Sequence, residues 1–141
     1  MKKKLNFKGL NLKGLVFTAF LVIPASFYLY VGFLWLVSPE SGASLLLMPL
    51  LSGAGLSTQM GDVGGLFMAL GLVVMTAIAT RTGSFLLPVA VVMGTAATYR
   101  LLAFMLYQAN LLPHFIALEV VLAVWFAIAS RRFAGKESNN G

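Results

Sequence analysis

The sequence predicts an all-α membrane protein: a four-transmembrane-helix bundle with an interfacial or re-entrant segment between helices 1 and 2. Of its 141 residues, 60% are hydrophobic and only 10% charged, with a mean hydropathy of +0.92. A water-soluble domain carries about 25% Asp, Glu, Lys and Arg, so most of this apolar surface must face lipid or other spans. Four apolar stretches reach about the 20 residues that a helix needs to cross the hydrocarbon layer. The basic residues, moreover, gather on one side of a four-pass path.

The first stretch covers about residues 14–37 and stops at Ser38-Pro39, where proline cannot continue the hydrogen-bond ladder. Lysines ahead of an apolar run also open a signal peptide, but here apolarity continues through Tyr28, Phe33 and Trp35. An uncleaved span, kinked at Pro24, is expected. The second stretch runs from Asp62 to Thr80 and ends at the polar turn Arg81-Thr82-Gly83-Ser84. The third covers 85–108, and the fourth runs from Pro113, a favoured first-turn proline, to Ser130. Residues 38–61 hold a short, proline-broken apolar run between glycine–serine pairs, too short to cross. The organisation is therefore a basic N-terminus (1–13), one transmembrane domain (14–132) and a flexible tail (133–141).

Nine of the ten basic residues (Lys2, Lys3, Lys4, Lys8, Lys13, Arg81, Arg131, Arg132 and Lys136) lie on one side of that path, and the opposite side carries none. The positive-inside rule then places both termini in the cytoplasm. The formal charge of +6 is thus topological. It suits anionic headgroups of membrane lipids and excludes a nucleic-acid partner.

The tenth basic residue, Arg100, lies inside the third span about seven residues from its outer end. Glu119 lies about six residues into the fourth. At 1.5 Å per residue both sit roughly 10 Å below the outer surface. An intramembrane charge costs on the order of 2.5–3.5 kcal/mol, so opposite charges at one depth on antiparallel neighbours are expected to pair. Asp62, Tyr99, Tyr107 and His114 are candidates for the mouth of a pocket above them. Asp62 also reads as the N-cap of the second span, and His114 as an exposed first-turn residue. Small residues at four-residue spacing (Gly61, Gly65 and Ala69; Gly94 within Ala90-Gly94-Thr98) are expected to be helix-packing faces.

Around these residues the chain resembles the bacterial membrane family known as domain of unknown function 4345, similar in layout to DoxX-like four-helix proteins. The likeness covers about residues 60–132. It rests on Gly64-Gly65-Leu66 with Ala69-Leu70-Gly71-Leu72, on Gly94 through Arg100-Leu101-Leu102, and on Ala117-Leu118-Glu119. Members usually carry an acidic residue and an arginine before the paired glycines, where this chain has Thr58 and Met60. The resemblance implies the four-helix layout and a bacterial cytoplasmic (inner) membrane, and brings no activity.

Zero cysteines and a single histidine exclude thiolate, iron–sulfur and multi-histidine metal sites built by this chain alone. No nucleophile elbow, phosphate loop or HExxH motif occurs, so neither a catalytic residue nor a cofactor is assigned. The sequence is read as a non-enzymatic accessory or assembly subunit of a membrane complex, with partner subunits or a second copy meeting its glycine faces. Two alternatives stand beside it. One is a module binding lipid, quinone or another small hydrophobic molecule in an outward-facing pocket at Arg100 and Glu119. The other is a proton-coupled carrier, although carriers usually show inverted repeats or broken helices.

Overall fold

A computed structural model describes residues 12–137. Lys2, Lys3, Lys4, Lys8 and the end of the tail expected to be flexible lie outside the described residues. Those described are all-α, without a strand: α1 (Leu12–Val37), α2 (Pro39–Leu45), α3 (Ala54–Thr58), a π-helical turn (Gln59–Gly64), α4 (Gly65–Thr80), a 3-10 turn (Gly83–Phe85), α5 (Leu86–Tyr107) and α6 (Pro113–Glu137). Four helical stretches are long and apolar enough to cross a membrane: Val16–Val37, Ala54–Thr80, Gly83–Tyr107 and Pro113–Phe133. The protein is a multi-pass membrane protein.

Helix is the form these segments must take in lipid, because only a helix satisfies its own backbone donors and acceptors there. The threonines follow the same rule. Thr18, Thr76 and Thr98 each donate a hydroxyl hydrogen bond to the carbonyl four residues back (Gly14, Leu72 and Gly94) at 2.8–2.9 Å. α1 runs without interruption through Pro24.

The second crossing helix starts earlier than the sequence predicts. It begins at Ala54, not Asp62, and runs 27 residues to Thr80 with the π-helical turn inside it. The polar, glycine-rich run Ala54–Gly61 falls in the segment read from the sequence as interfacial or re-entrant. In the structure Ala54–Thr58 is α-helical (α3), and the wider turn Gln59–Gly64 joins it to α4, as π-bulges do within α-helices. Asp62 is consequently an exposed residue of that turn and not an N-cap, which falls to Gly53 at φ +56°.

The chain falls into two compact units that divide at Gly71–Leu72. In the first, bulky side chains alternate with glycines along an antiparallel seam. An added Cβ at Gly71 would lie 2.6 Å from Leu29 Cγ, one at Gly32 2.7 Å from the Met68 nitrogen, and one at Gly64 2.7 Å from Trp35 Cβ. Each glycine thus permits an approach that no other residue allows. Gly61, Gly65 and Ala69, the expected packing face, are exposed. A Cβ on Gly61 would meet nothing within 4 Å, and one on Gly65 only the Met60 carbonyl at 3.9 Å. The packed stripe on this helix runs through Gly64, Met68 and Gly71 because α1 offers Leu29, Gly32 and Trp35 in matching alternation.

Trp35 is the centre of this unit. It is 1% exposed and clusters with Val31, Ala43, Leu46, Met48, Met60, Val63 and Phe67. Its indole also lies flat against Gly42, bringing α2 onto α1. Gln59, buried at 5%, then ties down the connecting loop. Its Nε2 donates to the Pro49 carbonyl and its Oε1 accepts from the Leu51 N–H, both at 2.9 Å.

In the second unit α5 and α6 run antiparallel. A Cβ on Gly94 would find Ala123 Cβ at 3.9 Å, an ordinary contact that small residues on both helices allow. At the far end the 3-10 turn wedges Gly83 under α6, where an added Cβ would collide with the Ser130 carbonyl oxygen.

Candidate functional site: an ion pair within two spans

The turn between α5 and α6 sets the depth of the site. Gln108 takes a left-handed conformation (φ +55°) that ends α5, and the Ala109 N–H reaches back to the Ala103 carbonyl at 3.3 Å. Four residues later α6 opens at Pro113, with the Leu112 carbonyl accepting from Phe115 and Ile116 at 3.1 and 3.2 Å. Arg100 lies seven residues before the end of α5, and Glu119 six residues after the start of α6. Offsets that differ by one residue from one turn bring the two side chains to nearly the same level.

There Arg100 Nε donates to Glu119 Oε1 at 2.8 Å. The guanidinium also lies over the Phe115 ring, with Cζ 4.9 Å from the centroid. Phe115 and Glu119 are four residues apart on α6 and therefore share a face. One helix face thus supplies a carboxylate and an aromatic surface for the same cation. His114 extends the stack, its ring 4.5 Å from that of Phe115 at 40°.

The pair is unevenly buried. Glu119 is 12% exposed in its side chain and Arg100 36%. Glu119 Oε2 is buried without a hydrogen-bond partner. On Arg100 the bond to Glu119 engages one of the five N–H donors of a guanidinium. A bidentate arrangement would have satisfied both groups more fully.

Of the residues expected at a pocket mouth, His114 joins the cluster through Phe115. Tyr99 and Tyr107 stand 70% and 81% exposed, and Asp62 belongs to the first unit. Phe115 is the partner that sequence reasoning did not assign, although its spacing from Glu119 was the available signal. Trp35 reads from the sequence as an interfacial aromatic and is instead 1% exposed, and Gln59 escaped notice, since a glutamine in a polar segment carries no motif.

Among the described residues no group of three or more His, Cys, Asp or Glu could hold a metal ion. No protein-family model, curated protein or solved structure matches the chain. The architecture is that of a small all-α protein with four long apolar helices, as in four-span membrane families in general.

Proposed function

We propose that this protein is a non-enzymatic accessory or assembly subunit of a membrane complex, and that it meets its partner at the Arg100 face. The observation that supports this reading is the half-spent ion pair. Arg100 is a third exposed, at a depth of roughly 10 Å on helical geometry, with donors left over. Hydrocarbon cannot satisfy those donors, and unmet polar groups there are costly. An acceptor side chain or carbonyl on a partner transmembrane helix would satisfy them.

An open face favours a helix over a small ligand. Pockets for small molecules bury about 70–90% of what they hold. Here Leu101, Leu102, Phe104 and Tyr107 stand exposed around Arg100, and only 22% of the most apolar window in each of the two spans is buried. The reading as a pocket for a quinone or another small hydrophobic molecule rests on the same unspent groups and lacks such walls. The motif likeness of residues 60–132 to domain of unknown function 4345 supports the four-helix layout. It also agrees with placement in a bacterial inner membrane, and the nine clustered basic residues favour cytoplasmic termini.

The test is purification of the tagged protein in a mild detergent, wild type against Arg100→Met with Glu119→Leu. A membrane protein at constant stoichiometry with the wild type, and lost from the double variant, is the expected result. A monomer carrying only lipid or quinone would overturn the subunit reading in favour of the binding module.

A further inference from the structure

The first unit carries an open groove of about 410 Å³, lined by Tyr30, Leu34, Glu40, Ser41, Ser44 and Leu45. It lies between α1 and the outward face of α2, whose other face, Gly42 and Ala43, is buried. From Tyr30 to the start of α2 at Pro39 the helical rise amounts to about 13 Å. The groove thus runs from the end of the first span down into its length.

Its chemistry is graded along that axis. At the end of the first span are the Glu40 carboxylate and the Ser41 hydroxyl, with Ser41 Oγ 2.8 Å from Ser38 Oγ, and the Ser44 hydroxyl follows along α2. Further down α1 are Leu34 and the Tyr30 ring, 57% exposed, and Leu45 at the end of α2 adds an apolar wall. Glu40 makes no ion pair with any described residue, and residues 38–61 contain no lysine or arginine to neutralise it. A lone carboxylate above an apolar trough matches an occupant with a cationic tip and an apolar body.

We infer that this groove holds an aminophospholipid, with the primary ammonium of a phosphatidylethanolamine headgroup on Glu40. Ser41 and Ser44 hydroxyls donate to its phosphate oxygens, and the Tyr30 and Leu34 side chains line the start of an acyl chain. Along the axis of α1 the order from Glu40 and Ser41, just beyond its end, to Leu34 and Tyr30 within it matches the order from headgroup to acyl chain in a lipid molecule. The charge selects the headgroup: phosphatidylglycerol brings no cation, and phosphatidylcholine replaces the three N–H donors by methyls that cannot hydrogen-bond the carboxylate. The site lies wholly within residues 30–45 and is independent of the Arg100 face.

The test is native mass spectrometry of the full-length protein released from nanodiscs. The discs contain equal parts phosphatidylethanolamine, phosphatidylcholine and phosphatidylglycerol. Wild type is expected to retain phosphatidylethanolamine at least fivefold over its share of the bilayer. Glu40→Gln, an exposed and isosteric change, should return the retained lipid to bulk composition. Leu45→Trp, which fills the groove without touching the charge, should do the same. Millimolar ethanolamine should not displace the lipid. Bulk composition on the wild type, enrichment that survives Glu40→Gln or Leu45→Trp, or displacement by free ethanolamine would each overturn the assignment.

Discussion

The two units solve the same problem in different ways. Within a membrane the hydrophobic effect gives helices no reason to prefer each other over lipid, so association must come from close packing and polar contacts. The first unit relies on shape. Leu29, Met68 and Trp35 fit against Gly71, Gly32 and Gly64, and the buried amide of Gln59 has both ends hydrogen-bonded. The second unit relies on charge, with Arg100 held by Glu119 and Phe115 while Glu119 Oε2 stays unsatisfied. The unmet group of the shape seam among the described residues, Trp35 Nε1, is buried inside the seam, where no partner can reach it. A seam made of partly used charge keeps capacity for something else, which is why the proposed docking point lies in the second unit.

The sharpest way to break this contrast is to fill a glycine. Gly32→Val places its Cβ against the Met68 backbone, which cannot rotate away. Overpacking typically costs about 1–3 kcal/mol and more where backbone must shift, so a loss of about 3 kcal/mol or more is expected in denaturant titration of the detergent-solubilised protein. Retention of wild-type stability would mean that the seam is loose.

Breaking the charge seam should come next. Glu119→Gln strips Arg100 of its counter-charge, and removing one partner of a buried pair costs about 3–5 kcal/mol. Because Arg100 is 36% exposed, a value at or below the lower end, about 2–3 kcal/mol, is expected. Arg100→Met combined with Glu119→Leu should recover much of the loss, since desolvation and attraction nearly cancel in such pairs. A double-mutant cycle reads the coupling directly, and strict additivity would remove the pair from the account.

A smaller effect is expected at Gln59. Gln59→Leu frees the Leu51 N–H and the Pro49 carbonyl, both on exposed residues that water can reach. The cost should be about 1 kcal/mol. Amide exchange at Leu51 should quicken while amides in α1 keep their protection. Global exchange instead would show that the loop and the seam open together.

The smallest effect separates the two glycine stripes. Gly65→Leu, on the exposed face, should leave the stability of the isolated protein within about 0.5 kcal/mol of wild type. A loss comparable with that of Gly32→Val would return the packing face to Gly61, Gly65 and Ala69.

Some features were determined by the sequence alone because they belong to residues one at a time. A helix crosses hydrocarbon if its side chains are apolar for long enough, and that sum needs no partner. The charges were legible for a similar reason: the distances of Arg100 and Glu119 from a common turn follow from counting residues along two helices. Contacts between segments could not be read this way. In one dimension Gly61-Gly65-Ala69 is the better small-residue stripe, yet Gly64-Met68-Gly71 is the one that packs. Leu29, Gly32 and Trp35 on another helix select between them. The second span starts at Ala54 because α3 and the π-helical turn continue it back from Gly65 through residues too polar to read as a span, and Gln59 reaches back to hold the loop before them. The cradle of Phe115 beneath Arg100 and the groove above Tyr30 likewise exist only once two segments meet. Hydropathy and depth are one-body properties, carried by each residue wherever it goes. Close approach depends on the shapes of two surfaces at once, and only the tertiary structure brings both together.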